Sequence, residues 1–338
     1  MKKLLALILS LVMVLSLAAC GNEPNAEDPS SESDNDPYEI VIVPKCTTNV
    51  WFQCIENGGK KFGEQSGANV YMKGSDDADA AQQVEIIESL ISAGVDAMCV
   101  IPNDINALET VLQKARDAGI VVICHEASTQ NNCDYDIEAF DNNQFGRKLM
   151  DSLAGWVGEE GKYCVMVGSL TNGSHNEWAD GAIQQAQEKY PGMELVGERM
   201  EINDDSEKAY QLAVEMLNTY PDLKGFIGTA AQCIPGIARA IEEMGLTDKV
   251  FASGMALASQ AEQYINNGTI ESVLAWDPFE VGYAMTQLAY KVLEGEPITN
   301  GMKLDAAGYD NILLVNDKVL YGSGWITINK ENVSTFDF

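Results

Sequence analysis

Short apolar runs alternate along the chain with longer segments whose apolar residues recur every three or four positions. The first run, residues 40–43, turns at Pro44 and meets a lone cation, Lys45, a polar loop and two aromatics, Trp51 and Phe52, before a helical pattern begins. Further along, a helix-period segment (80–92) meets Gly94. A buried strand follows (96–102), then a second helical segment (105–117) that stops at Gly119. A strand over 120–124 then ends in His125 and Glu126. The same plan returns downstream. A helix over 206–218 stops at Pro221 and a strand over 224–229 follows. A helix from about 235 to 244 stops at Gly245, and a strand follows over 249–254. Each half begins with its own strand, "EIVIVP" in the first and "GKYCVMVG" (161–168) in the second.

Strands that alternate with helices of about 10–15 residues form right-handed βαβ units around a parallel sheet. The pattern therefore predicts an α/β protein of two similar, doubly wound parallel-sheet lobes. In open parallel sheets, ligands bind beyond the C-terminal strand ends. Those positions hold Lys45 with Trp51 and Phe52, Asn103 with Asp104, Glu126, Ser174 and His175 with Trp178, Thr229 with Gln232, and Met255. A further strand, "SVLAW", delivers Trp276 and Asp277 in the same way. Singly, each reads as readily as a core ring or a solvated side chain. Together, aromatic faces, carboxylates, an amide and a cation suit a sugar or polyol, whose C–H surface stacks on rings while its hydroxyls bond polar groups.

The N-terminus changes the picture. Lys2 and Lys3 precede a fourteen-residue apolar run, residues 4–17, which is the length of a signal peptide and too short for an ordinary spanning helix. It ends in Leu-Ala-Ala-Cys, the pattern of a bacterial lipobox. That predicts a signal peptide over 1–19 and a lipidated Cys20 (palmitate among its acyl chains), anchoring the protein to the outer face of the cytoplasmic membrane. Residues 21–37 carry six acids and three prolines, a tether too polar to fold. Stretched, these residues reach roughly 55 Å, and as a coil about 20–25 Å.

Removing residues 1–19 takes two lysines and no acid, leaving 19 Lys+Arg against 51 Asp+Glu and a formal charge of −32. Such a surface argues against nucleic acid. Seven cysteines remain besides Cys20; Cys46 with Cys54 and Cys124 with Cys133 are candidate pairs, and both pairings stay open. With two histidines and no Cys-x-x-Cys, neither a structural zinc nor any other metal is expected. No dinucleotide or phosphate-loop glycine motif and no Gly-x-Ser-x-Gly elbow occurs, so no cofactor and no enzymatic activity are expected. Glu126 with His175 is the acid–base pair an enzyme would use, and turnover of a bound sugar would reveal one.

At "VPK" (43–45) with its aromatic pair, "LISAGVDA", "YPGMELV", "YPDLKGFIGT", "WDP" and the ending "INKENVSTFDF", the chain resembles the type I periplasmic substrate-binding proteins of ABC importers. Within them it is most similar to the autoinducer-2-binding and rhamnose-binding group. The resemblance implies ligand held between two lobes joined by three crossing segments, near 141–142, 274–276 and 304–306. The first lobe would then comprise 38–142 plus 276–304, and the second 143–275 plus 305–338. It implies ligand contacts at Lys45; at Glu126, where autoinducer-2 binders carry Asp; at Ser174 and His175 in place of Asp-Gln; at Thr229 in place of Pro; and at Ala231. These departures point to a small sugar, deoxysugar or polyol, with autoinducer-2 or a related furanose as the alternative. The implied partners are an ABC permease and its ATPase, or a chemoreceptor. Repressors that share such a fold need a basic DNA-reading domain, which residues 1–37 do not supply. His175, with an ordinary pKa of about 6.5, is expected to titrate in the working range and to present donors to the ligand.

Overall fold

Why most of the helices begin where they do is visible in their caps. Asn49, Asp79, Asp104, Asp141, Asn172, Asp205 and Asp277 each accept a backbone N–H of the helix that follows. This satisfies donors that helix geometry leaves open. The computed structural model describes residues 36–336 and 338. The expected signal peptide, Cys20 and the tether up to residue 35 lie outside the described residues. Residues Pro37–Phe338 form one compact unit whose contacts close on themselves.

The first half runs β1 (Glu39–Val43), α1 (Val50–Ser66), β2 (Asn69–Met72), α2 (Ala80–Ala93), β3 (Ala97–Val100), α3 (Ile105–Asp117), β4 (Val121–Cys124) and β5 (Tyr135–Glu138). Its strands pair in parallel in the order β5-β4-β3-β1-β2. Side chains alternate across a strand, so β1 divides between two cores. Val41 and Val43 join Met98, Leu108 and Val122 on one face. Ile40 and Ile42 join Cys99 and Ile123 in a cluster that continues into the second half.

The second half runs α4 (Asn142–Val157), β6 (Glu160–Val167), α5 (Gly173–Lys189), β7 (Gly192–Leu195), β8 (Met200–Glu201), α6 (Ser206–Thr219), β9 (Leu223–Gly228), α7 (Cys233–Glu243) and β10 (Phe251–Gly254). Its parallel sheet has the order β10-β9-β6-β7, with β8 also on β6. Then come α8 (Ala258–Asn266), β11 (Ser272–Ala275), α9 (Pro278–Leu293), β12 (Leu313–Val315), β13 (Val319–Tyr321) and β14 (Ile326–Asn329). β11 touches the second sheet through the Met255–Leu274 bridge and pairs with β14. Helix α9 returns to pack on α1 and the first sheet.

The C-terminal segment corrects one expected boundary. Residues 305–338 do not all belong with the second lobe. β12 and β13 form a hairpin on the outer edge of the first sheet, β13 running parallel to β5 with Leu320 opposite Ile137. Asn316 and Asp317, both with positive φ, make its tight turn. The physical reason is an edge: β5 would otherwise expose a row of open backbone groups. The last passage between sheets therefore falls at residues 322–325, not 304–306.

Two helix pairs are fitted by reciprocal glycines. A Cβ on Gly58 of α1 would lie 1.8 Å from the Phe279 carbonyl oxygen, and one on Gly282 of α9 would lie 1.8 Å from that of Ile55. The second lobe repeats the device, with Gly146 of α4 against Trp178 and Gly181 of α5 against Asn143.

Candidate ligand-binding site

Lys45, two residues beyond β1, and Glu126, two beyond β4, converge across the end of β3. Both are buried, and Lys45 Nζ lies 2.5 Å from Glu126 Oε2. Glu126 holds a left-handed backbone, φ 56°. A bulky residue adopts that conformation only where its surroundings compensate, and such strain collects at functional sites. Asn103, at the end of β3, donates its side-chain N–H to the Lys45 carbonyl and fixes the loop.

His175 approaches from the other lobe. Asn172 caps α5 and accepts the His175 backbone N–H. The ring accepts the Gly168 N–H at Nδ1, 3.3 Å away, which leaves the proton on Nε2. That Nε2 lies 3.9 Å from Glu126 Oε2. Burial opposes the charge on Glu126, but Lys45, together with His175 and His125, holds the carboxyl down at about 2. Burial also opposes the Lys45 charge, yet Glu126 raises its pKa above the ordinary value. Burial, then the Lys45 charge, pushes His175 down to about 3. The imidazole is therefore a neutral donor at neutral pH, and the expected titration in the working range does not occur.

Beside this trio lies an aromatic cluster centred on Trp276. Its ring stands edge-on to Trp51 at 4.7 Å, Phe140 at 5.0 Å and Trp178 at 5.4 Å. His175 tilts over Trp178. Trp178 Nε1 donates to Asn142 Oδ1, and the Asn142 amide in turn donates to Glu138 and Glu177. Ser128 donates to Glu177 as well. A buried polar bridge thus joins the lobes under the rings.

Towards solvent the cleft opens into a space of about 280 Å³ between Lys45, Asn103 and Asp104 on one side and Gly168, Asn203 and Asp204 on the other. An adjoining recess of about 470 Å³ reaches Asn49, Asp76, Gln232 and Gln260. Asp204 was not among the strand-end residues read from the sequence. It follows a two-residue strand, adopts a left-handed backbone, and is raised in pKa by burial and the charges of Glu126 and Glu201, against Lys45. The Asn-Asp-Asp run at 203–205 ahead of a helix is the signal that could have found it.

The remaining expected residues divide. Trp51, Trp178 and Trp276 lie with the trio, and Gln232 lines the outer recess. Phe52 and Ala231 are core. Ser174 bonds the buried Glu138, and Thr229 bonds the Met166 carbonyl, so neither hydroxyl is turned to the open space. Asp277 caps α9 and borders a different pocket, on the hinge side.

Residues 40–297 match the family described as a periplasmic binding protein domain. The chain belongs to this family. Among curated proteins, the ribose import binding protein RbsB of Bacillus subtilis is 23% identical, the match covering 88% of this chain and 95% of that protein. A D-ribose/D-allose-binding protein of Pseudomonas aeruginosa is 26% identical over 85% of this chain and 91% of its own length. Among solved structures, LsrB from Clostridium saccharobutylicum in complex with AI-2 superposes with a TM-score of 0.81 at 23% identity, covering 88% of this chain and 99% of that one. An ABC transporter solute-binding protein from Clostridium phytofermentas with bound L-rhamnose gives 0.82 at 22%, covering 89% and 98%. This periplasmic binding protein thus has the two-lobed type I fold.

Proposed function

We propose that this protein is an extracytoplasmic solute-binding lipoprotein, anchored through Cys20, that captures a small neutral sugar, deoxysugar or polyol between its lobes and delivers it to an ABC permease and its ATPase. One observation carries the reading. Lys45, Glu126 and the neutral His175, contributed by both lobes, form a dry set of donors and acceptors beside an edge-on cluster of aromatic rings. A hydroxyl can accept from Lys45 or His175 and donate to Glu126, while its ring C–H face lies on tryptophan. Ligand that bonds both lobes favours the closed arrangement, and a shift from 1:99 to 99:1 needs about 5.5 kcal/mol of differential binding. The names of the curated relatives support the sugar class. No bond is made or broken in this role.

A thermal-shift screen of residues 37–338 against pentoses, hexoses, 6-deoxyhexoses, polyols and autoinducer-2, followed by calorimetry, tests the reading. A sugar or polyol is expected to stabilise the protein saturably. Response to autoinducer-2 alone would establish the furanose alternative, and stabilisation only by charged solutes would overturn both.

A further inference from the structure

A second pocket lies on the hinge side, with walls from all three passages between the sheets: Ala139, the Trp276–Asp277 step with Glu280, and residues 307–309 with 323–326. Its volume is about 290 Å³, near the small end of ligand pockets. Its lining has no residue in common with the two open spaces of the interlobe cleft; Trp276 stands between, with its ring against Trp51 and Trp178 of the cleft cluster.

Two lining residues carry polar atoms that are buried and have no hydrogen-bond partner among the described residues: Trp276 Nε1 and the Tyr309 hydroxyl. Buried polar groups are nearly always paired, so each such exception needs an account. An indole N–H only donates, and a phenol donates or accepts. The carboxylates of Asp277 and Glu280 line the same space, and Glu280 already accepts the Ala307 N–H. Trp325, 44% exposed, offers an aromatic face at the rim. The lining holds no Lys or Arg, so an anion would find no cation in it. A bare cation would leave the indole N–H unanswered.

We propose that this pocket is a second binding site, for a small neutral hydroxyl-rich molecule of polyol to monosaccharide size. Its oxygens accept from Trp276 and Tyr309, its hydroxyls donate to Asp277 and Glu280, and its apolar face rests on Trp325. The backbones behind it are in close contact, since a Cβ on Gly308 would lie 2.5 Å from Gly324 Cα. A change of angle at the passages therefore changes the pocket walls, and an occupant biases the lobes towards the arrangement it fits.

The test uses residues 37–338, which form a self-contained unit, with the acyclic polyols glycerol and xylitol as probes. The indole N–H resonances of Trp276 and Trp325 are followed by NMR. A saturable shift of both is expected, lost in Ala307→Leu, which fills the pocket. Tyr309→Phe should weaken the probe without lowering the melting temperature, and it decides the matter if Ala307→Leu does not fold. Three results would overturn the proposal. The first is no saturable shift. The second is a shift that survives in Ala307→Leu, which places the probe in the cleft. The third is a Tyr309→Phe protein that loses stability while binding the probe unchanged, which makes the hydroxyl structural.

Discussion

Glu126 reaches Lys45 across the end of β3 from a left-handed backbone, and the two charges sit 2.5 Å apart with almost no exposure to water. Attraction between buried charges offsets their desolvation only while both are present. Lys45→Met should therefore cost about 3–5 kcal/mol of stability by leaving a buried carboxylate unpaired. The double variant Lys45→Met/Glu126→Gln should recover most of that loss. Urea unfolding checks both. A double variant no more stable than the single would mean that the two do not form a coupled pair. Ligand affinity is expected to fall in either variant by about 1–3 kcal/mol for the lost charge-assisted bond.

The pH dependence of stability should carry two signatures. The folded pKa of Glu126 is depressed to about 2, below an unfolded value of about 4.3. Its contribution, about 3 kcal/mol from that difference, is present above the unfolded pKa and lost as pH falls towards the folded one. Glu138 behaves oppositely. Burial, Glu177 and Glu126 raise its pKa, so the folded state holds a proton that the unfolded chain releases. Stability then declines as pH rises from the ordinary carboxylate range to the raised folded value. Glu126→Gln should flatten the acid limb, and Glu138→Gln the decline between the ordinary carboxylate range and about 8. Chemical unfolding across pH measures both, and an acid limb unchanged by Glu126→Gln would refute the first.

His175 should leave ligand binding insensitive to pH between about 5 and 8, the range over which an ordinary imidazole changes charge. Its pKa is held near 3 by burial and by Lys45. Calorimetric affinities should stay level across that interval in wild type and in His175→Gln. A rise in wild-type affinity towards pH 5 that His175→Gln removes would show that the bound state uses an imidazolium.

Gly282→Ala should destabilise the fold by about 1–3 kcal/mol or more, the cost of overpacking, because its Cβ would meet the Ile55 carbonyl at 1.8 Å. Gly155→Ala, with nothing within 4 Å of its Cβ, is the control in a helix of the other lobe. Equal melting temperatures for the two variants would contradict the close packing of α1 on α9.

The alternation of apolar runs and helical periods made the parallel lobes legible, since each βαβ unit writes its own pattern locally. The strand-end rule likewise pointed to the neighbourhood of Lys45, Glu126 and His175. The hydroxyls at 174 and 229 were misleading as cleft-facing groups, because a short side chain bonds the nearest acceptor, here Glu138 and the Met166 carbonyl. Asp204 escaped notice because β8 spans only two residues and leaves no periodicity to read. The hairpin at 313–321 could have been seen in its Asn-Asp turn, but not its attachment to β5, which is a pairing across about 180 residues of chain. The charge state of His175 depends on burial, and burial is settled only by the packed structure.

The placement of that hairpin has a consequence for the order in which the molecule can assemble. The sheet of the second lobe draws its strands β6 to β10 from the continuous stretch 160–254, and it has all of them once that stretch is available. The sheet that starts at residue 39 needs α9 as its cover and β12 and β13 as its edge, so it waits for residue 321. Domains generally fold as units as the chain emerges. Of the two parallel sheets, the one whose first strand appears earliest is therefore the one completed last, and β5 stands as an open template for mispairing until the hairpin arrives.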